Sequence, residues 1–278
     1  MSLPELFDRL ATRPALLVSV HATQGSAPRE AGAWMAVFDD AVLGTIGGGQ
    51  LEFRAIDEAR RRLAGGGGVP FQRHPLGPAL GQCCGGVVEL RFERVSASDV
   101  AALRERLAPA RAPLALFGGG HVGKALMRVL APLPFAVTWI DSRDEIFPAD
   151  VAPGVVCEHS DPVHAAVQAL VPGSQVLIMS FSHAEDLDVV AACLRRQREA
   201  GDLAGIGLIG SKTKWATFRH RLQARGFSAQ ELAQVNCPIG LPGIAGKEPE
   251  VIAVSVAAQL LLMRSVDAGV PPPQAGDG

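Results

Sequence analysis

The chain has no tyrosine. A Ser-x-x-x-Tyr-x-x-x-Lys catalytic set is therefore excluded, whatever the fold. Its five cysteines, Cys83, Cys84, Cys157, Cys193 and Cys237, form no CxxC pair and no zinc-type ligand pattern. Their odd number and irregular spacing point to free thiols in a reducing compartment. Cys83 and Cys84 are neighbours, and a disulfide between them would strain the peptide that joins them. An excess of one charge is also lacking, since 26 Lys+Arg against 28 Asp+Glu leave a net charge of −2. A general nucleic-acid or membrane-surface binder would be basic, so neither partner is expected. No N-terminal stretch has the charged, apolar and small-residue order of a signal peptide. The longest late apolar run, Val251 to Met263, contains Ser255 and Gln259. It is shorter than the ~18–20 residues a membrane span needs. A soluble, cytoplasmic protein is expected.

What is present fills two domains, since 278 residues with 48% hydrophobic content supply two cores. Two stretches stand out. Gly44-Thr45-Ile46-Gly47-Gly48-Gly49-Gln50-Leu51-Glu52 runs from a glycine loop straight into an amphipathic segment. Gly81-Gln82-Cys83-Cys84-Gly85-Gly86 sets two thiols between glycines. Backbone without Cβ atoms admits a large polar ligand, and thiolates suit a soft metal or a sulfur-transfer step.

The first domain, residues 1–95, reads as mixed α+β. Helix is expected from Pro4 to Thr12, and strands over Leu16–Ala22, Trp34–Phe38 and Val42–Ile46. Leu51, Ala55, Ala59 and Leu63 share one face of a helix. The free N–H groups at its start make Gly47, Gly48 and Gly49 a candidate phosphate cradle. Glu52, in the first turn, caps the helix in the plainer reading, and its carboxylate would compete with a phosphate. Arg60, Arg61 and Arg62 point in different directions and read as a solvated face. Strands follow near Phe71–His74 and over Val87–Arg94, where alternating Val88, Leu90 and Phe92 bury one face. Arg29, after Gly-Ser-Ala-Pro, is a candidate for bidentate binding of a phosphate or carboxylate, with a loop salt bridge as the plain alternative.

Residues 96–112 read as a linker carrying a helix over Ser98–Leu107, and residues 113–265 as a second domain. Strand Leu114–Phe117 meets Gly118-Gly119-Gly120-His121-Val122-Gly123 and then a helix. G-x-G-x-x-G in that context is the dinucleotide fingerprint. Gly118 makes the turn, Gly120 admits a pyrophosphate, and Gly123 lets helix pack on strand. Asp141 follows the next strand at about the 20-residue distance where an acid meets a ribose hydroxyl. The strand–helix rhythm continues to a last apolar helix at Glu248–Met263, which predicts a doubly wound parallel sheet. His183 falls at a strand end and reads either as a ligand contact or as a structural hydrogen bond. Lys212 and Lys214 open a basic helix that serves a ligand anion or only the surface. Val270–Gly278 is expected to be a disordered tail. The fold class is thus α/β: a mixed α+β domain followed by a Rossmann-like domain. The fold does not fix a function, and the fingerprint alone supports an NAD(P)-dependent oxidoreductase as the alternative reading.

Several segments together resemble the XdhC/CoxI family, the accessory proteins of xanthine dehydrogenase and related molybdenum hydroxylases. They are GSAPREAGAWMAVF (Gly25 to Phe38), GTIGGGQLE (Gly44 to Glu52), CCGGVVEL (Cys83 to Leu90), LFGGGHVGKAL (Leu116 to Leu126), IGLIGSKTK (Ile206 to Lys214) and CPIGLPGIAGKEPEVIAVSVAAQLL (Cys237 to Leu261). The resemblance implies a carrier rather than a catalyst. Such a carrier binds the molybdenum cofactor (molybdopterin), supports its sulfuration and hands it to the apo xanthine dehydrogenase molybdenum subunit. The other partners it implies are a cysteine desulfurase and a second copy in a homodimer. Cys84 aligns with the CGG segment and is the implied metal-side thiol, with Cys83 as the extra one. The implied site lies between the domains, with the Rossmann edge on one wall and the glycine loop with Cys84 on the other. One departure stands out: where the family commonly reads Thr-His-Asp-His, this chain has Ser180-Phe181-Ser182-His183. No metal site is expected there.

Overall fold

The structure, a computed structural model, describes residues 3–77, 85–108, 111–152 and 154–267. Cys83, Cys84 and the expected tail lie outside the described residues. The chain divides into two compact units, Met1–Ala108 and Pro109–Gly278.

The first unit begins with helix α1 (Leu3–Leu10) and strands β1 (Ala15–Gln24), β2 (Trp34–Val37) and β3 (Val42–Gly44). Helix α2 (Gly49–Leu63), strands β4 (Phe71–Pro75) and β5 (Val87–Val95) and helix α3 (Val100–Leu107) complete it. The five strands form one antiparallel sheet in the order β3-β2-β1-β5-β4. The first four residues of β1, Ala15–Val18, are all apolar because both faces are buried there, with successive side chains pointing to opposite sides. Leu16, Val18 and Val20 join Leu51, Ala55 and Ala59 of α2. Ala15 and Leu17 join Leu6, Phe7 and Leu10 of α1. Val88, Leu90 and Phe92 of β5 face α2, as their alternation predicts.

Two readings change here. The segment read as a linker carries a helix that packs into the first unit. Leu103 of α3 is 2% exposed among Leu6, Phe7 and Leu10, and a Ser96–Asp99 capping box starts the turn before it. Arg62 does not belong to a solvated face. It is buried, with its Nε 2.7 Å from Glu58 Oε1, its Nη1 donating to Val69 O at 2.8 Å, and its guanidinium 4.3 Å from the Phe92 ring centroid. A carboxylate, a carbonyl and an aromatic face together offset the cost of burying that charge.

The second unit runs β6 (Ala112–Phe117), α4 (His121–Leu130), β7 (Phe135–Asp141), β8 (Val155–His159) and β9 (Gln175–Ile178). It continues with α5 (His183–Glu199), β10 (Gly205–Leu208), α6 (Lys212–Ala224), α7 (Ala229–Leu232), β11 (Val235–Asn236) and α8 (Pro249–Asp267). The strands form one parallel sheet in the order β11-β10-β9-β6-β7-β8. Read from the β8 edge, that is the 3-2-1-4-5-6 order of the dinucleotide-binding fold, with its switch point between β6 and β9. Leu114 and Leu116 face α4 and α8, and Ala115 and Phe117 face α5 and α6. The segment Val163–Ala169 is a 3-10 helix. β11 is too short for its periodicity to show in the sequence. No described helix is long and apolar enough to cross a membrane.

Replacing Leu103 with Ala should lower the stability of the first unit by about 2–5 kcal/mol, the range for a buried leucine. Urea unfolding followed by circular dichroism measures this, and a change within about 0.5 kcal/mol would return α3 to the role of a connector.

Candidate ligand sites at two glycine loops

In the first unit, three of the sequence-marked segments converge. Gly47 has φ +122 and sits so close to Pro28 and Arg29 that any Cβ there would overlap the proline. Gly86 presses on the backbone of Gln24 and Ser26 just as tightly. The loops 25–29 and 44–49 and the glycines that follow Cys84 thus share one corner of the sheet. Arg29 is exposed there, and among the described residues it has no recorded partner. The thiols of Cys83 and Cys84 lie outside the described residues.

The loop amides themselves are not free for a phosphate. Glu52 folds back from α2, and its Oε2 accepts from Thr45 Oγ1 at 2.5 Å, Ile46 N at 2.9 Å and Gly48 N at 3.1 Å. Gly47 N donates to Thr45 Oγ1 at 3.1 Å. Burial works against the charge on Glu52, but the Thr45 hydroxyl and the N–H groups of Ile46, Gly48 and Gly47 outweigh it and hold the carboxyl below its ordinary value. A phosphate at Gly47–Gly49 would therefore have to displace Glu52 from the amides of Ile46 and Gly48. The positive end of α2 already holds an anion, and it is the protein's own.

The Rossmann loop follows the same pattern. Gly118 has φ +122, and a Cβ there would overlap Met179 O across the β6–β9 switch point. A Cβ at Gly123 would overlap Gly118 O, so that glycine is required by helix–strand packing, as expected. A Cβ at Gly120 would meet nothing within 4 Å among the described residues, which leaves the approach to the start of α4 open. Asp141 does not offer itself to a ribose. It is 2% exposed. Its Oδ2 accepts from Gly119 N at 2.6 Å and from Arg143 Nη2 at 2.9 Å. Its Oδ1 accepts from Arg143 N at 2.9 Å and from Arg143 Nε at 2.8 Å. With two donors on each oxygen the carboxylate is saturated. Burial opposes its ionisation, but the Arg143 guanidinium and the amides of Gly119 and Arg143 prevail, and the carboxyl lies below its usual value.

The altered segment after β9 has taken structural roles. Ser182 caps α5, its Oγ accepting from Glu185 N at 3.2 Å. Phe181 is 66% exposed and stacks on the Arg143 guanidinium, 4.5 Å from ring centroid to Cζ. His183 is exposed at the first turn of α5, with its ring edge-on to Phe218 at 6.2 Å. Glu185 ties the edge together, accepting from Ser142 Oγ at 2.7 Å and from Phe181 N at 3.1 Å.

Sequence reasoning passed over a buried pair next to this edge. Lys214 Nζ is 2.6 Å from Asp186 Oδ2 and donates to Ile209 O at 2.8 Å, while Ser180 N donates to Asp186 Oδ1 at 2.7 Å. Lys214 is therefore spent on the protein itself, and Lys212 is exposed. Acidic residues in the first turn of α5 were the only signal of Asp186. Cys193 is buried, which pushes its thiol up to about 12, and Cys157 is exposed on edge strand β8. Among the described residues, no cluster of three His, Cys, Asp or Glu side chains is arranged for a metal. The sequence-level metal candidate, Cys84, lies outside them.

A mixed α+β unit followed by a doubly wound sheet, with a glycine loop at its switch point, defines a two-unit α/β protein of Rossmann type. The XdhC Rossmann domain matches residues 114–260, and the XdhC and CoxI family matches residues 9–73. The chain belongs to the XdhC/CoxI family. A Bacillus halodurans protein whose crystal structure is described as that of a xanthine dehydrogenase has the same fold. It is 19% identical, covers 98% of both chains and has a TM-score of 0.76. The Escherichia coli (strain K12) protein YqeB, described as uncharacterized, is 25% identical over 263 residues. That match takes in 91% of this chain but 44% of YqeB, so the chain spans less than half the length of that relative.

Two outcomes test the internal anions. Glu52→Ala should free the amides of Ile46 and Gly48, so that phosphate raises the Tm of the variant but not of the parent; equal shifts would reject the clasp. Asp141 holds a lowered pKa, so its contribution is complete above the unfolded value of about 3.9 and is lost as pH falls through the folded value. Asp141→Asn should cost about 1–3 kcal/mol at pH 7 and flatten the stability profile below about pH 4. An unchanged acid slope in pH-dependent unfolding would remove Asp141 from that account.

Proposed function

We propose that this protein binds the molybdenum cofactor, supports its sulfuration and delivers it to apo xanthine dehydrogenase or a related molybdenum hydroxylase. The observation that carries this reading is the corner of the first unit where Gly47, Arg29 and Gly86 meet. Glu52 braces the loop there, and the Arg29 guanidinium, exposed and without a partner among the described residues, supplies the bidentate donor for a phosphate. Cys84, the thiol that the family resemblance implies, directly precedes Gly85 in the sequence. The cargo supplies a phosphate at one end and a soft, sulfur-bound metal at the other, which fits a guanidinium and a thiol as its two holders. The internal clasp keeps carboxylate charge on the loop amides, so the loop contributes shape and Arg29 contributes charge.

The second reading, an NAD(P)-dependent oxidoreductase, draws on Gly118, Gly120 and Gly123. The four donors on Asp141 weigh against it, since a ribose hydroxyl would have to displace Arg143.

Purification from a cofactor-producing host should yield protein containing molybdenum and pterin. Arg29→Ala and Cys84→Ala should each retain several-fold less of both. A parent protein with neither molybdenum nor pterin, beside a loaded control binder, would sink the proposal. NADH binding with turnover would favour the second reading.

A further inference from the structure

The loop that follows β11 has no part in either glycine-loop site, yet it is built with care. Residues 237–247 are rich in glycine and proline and largely exposed. Two polar side chains from the apolar stretch Val251–Met263 of α8 pin its start. Ser255 Oγ accepts from Leu241 N at 2.8 Å, and Gln259 Oε1 accepts from Gly240 N at 2.8 Å. Between this loop, the first turn of α6 and the first turns of α8 lies a cavity of about 620 Å³. That is within the range of small-molecule sites, roughly 300–1,000 Å³.

The chemistry of the cavity is one-sided. Its floor is apolar, formed by Ile209, Ile239, Leu241 and Ile252, and its rim carries Lys212 and Lys247. No lining residue is acidic. Among the described residues, neither lysine has a recorded carboxylate partner, and Glu248 Oε2 accepts instead from the Lys247 backbone N–H at 2.9 Å. Helix α6 begins at Lys212 and α8 at Pro249, so the positive ends of two long helices border the same space. Cys237 lines it as well, its thiol beside Gly210. Burial pushes that thiol up to about 11, so it stays neutral and adds no negative charge.

We propose that this cavity binds a small organic anion, a phosphate ester or carboxylate on an apolar body. The head sits between Lys212 and Lys247, and the body lies on the isoleucine floor. The inference is independent of the cofactor reading, which rests on the first unit.

Equilibrium dialysis of the full chain against 1-naphthyl phosphate and 1-naphthoate, both fluorescent, tests it. Both probes should be retained, and inorganic phosphate should compete at least tenfold more weakly than either. The double variant Lys212→Gln, Lys247→Gln changes only exposed side chains, and it should raise the Kd about tenfold. Alkylation of Cys237 by iodoacetamide, read by peptide mass spectrometry, should slow with probe bound, while alkylation of the exposed Cys157 does not. No retention at millimolar probe, an unchanged Kd in the double variant, or equal slowing at both cysteines would overturn the proposal. Loss of the molybdenum content of the purified protein would leave this result untouched.

Discussion

Asp141 remains charged at 2% exposure because four donors surround it, two of them from the Arg143 guanidinium and one from the Gly119 amide. That carboxylate joins the end of β6 to the end of β7, and the neighbouring edge is arranged around it. Arg143 is held in place to stack on Phe181, and Ser142 is turned toward Glu185. Glu185 in turn takes the Phe181 amide at the start of α5. Glu52 does the equivalent work in the first unit, where it closes the Gly44–Gly49 loop from within. In the first unit a glycine loop at a helix start, the usual place for a foreign anion, is occupied by a side chain of the chain itself; in the second, Asp141 takes the Gly119 amide while the approach at Gly120 stays open.

This changes what the glycines mean. A G-x-G-x-x-G segment invites the inference of a bound pyrophosphate, yet Gly118 and Gly123 are each explained by backbone that leaves no room for a Cβ. Gly120 is the fingerprint glycine that packing leaves open. In the first unit Glu52 takes the amides of Ile46 and Gly48, while Arg29 stays exposed beside the loop. Lys212 and Lys247 play the comparable part in the second unit, as cations not consumed by a recorded internal carboxylate.

Much of the architecture was legible because local pattern and tertiary placement agree. The alternation in β5, the helical face of Leu51, Ala55 and Ala59, and the strand–glycine–helix order at Phe117–His121 each have one consistent solution. The misreadings fall where a distant partner decides. Arg62 turns inward because Phe92 and the Val69 carbonyl wait for it, and neither is near it in sequence. Lys214 of α6 finds Asp186 on α5, 28 residues away in the chain. β11, two residues long, is defined by its pairing with β10 and by little in its own composition. The competition between Glu52 and a phosphate was visible from its position in the first turn; the three bonds that decide it were not.

The anchoring of the 237–247 loop sets a rule for chain length. Gly240 and Leu241 are tied to Gln259 and Ser255, one helical turn apart on α8. An insertion between Ser255 and Gln259 would rotate one anchor away from the loop, and one between Gly240 and Leu241 would separate paired bonds. The stretch from Pro242 to Lys247 carries no such tie to α8 among its recorded bonds. A change of length within that short arc would resize the cavity without displacing either anchor.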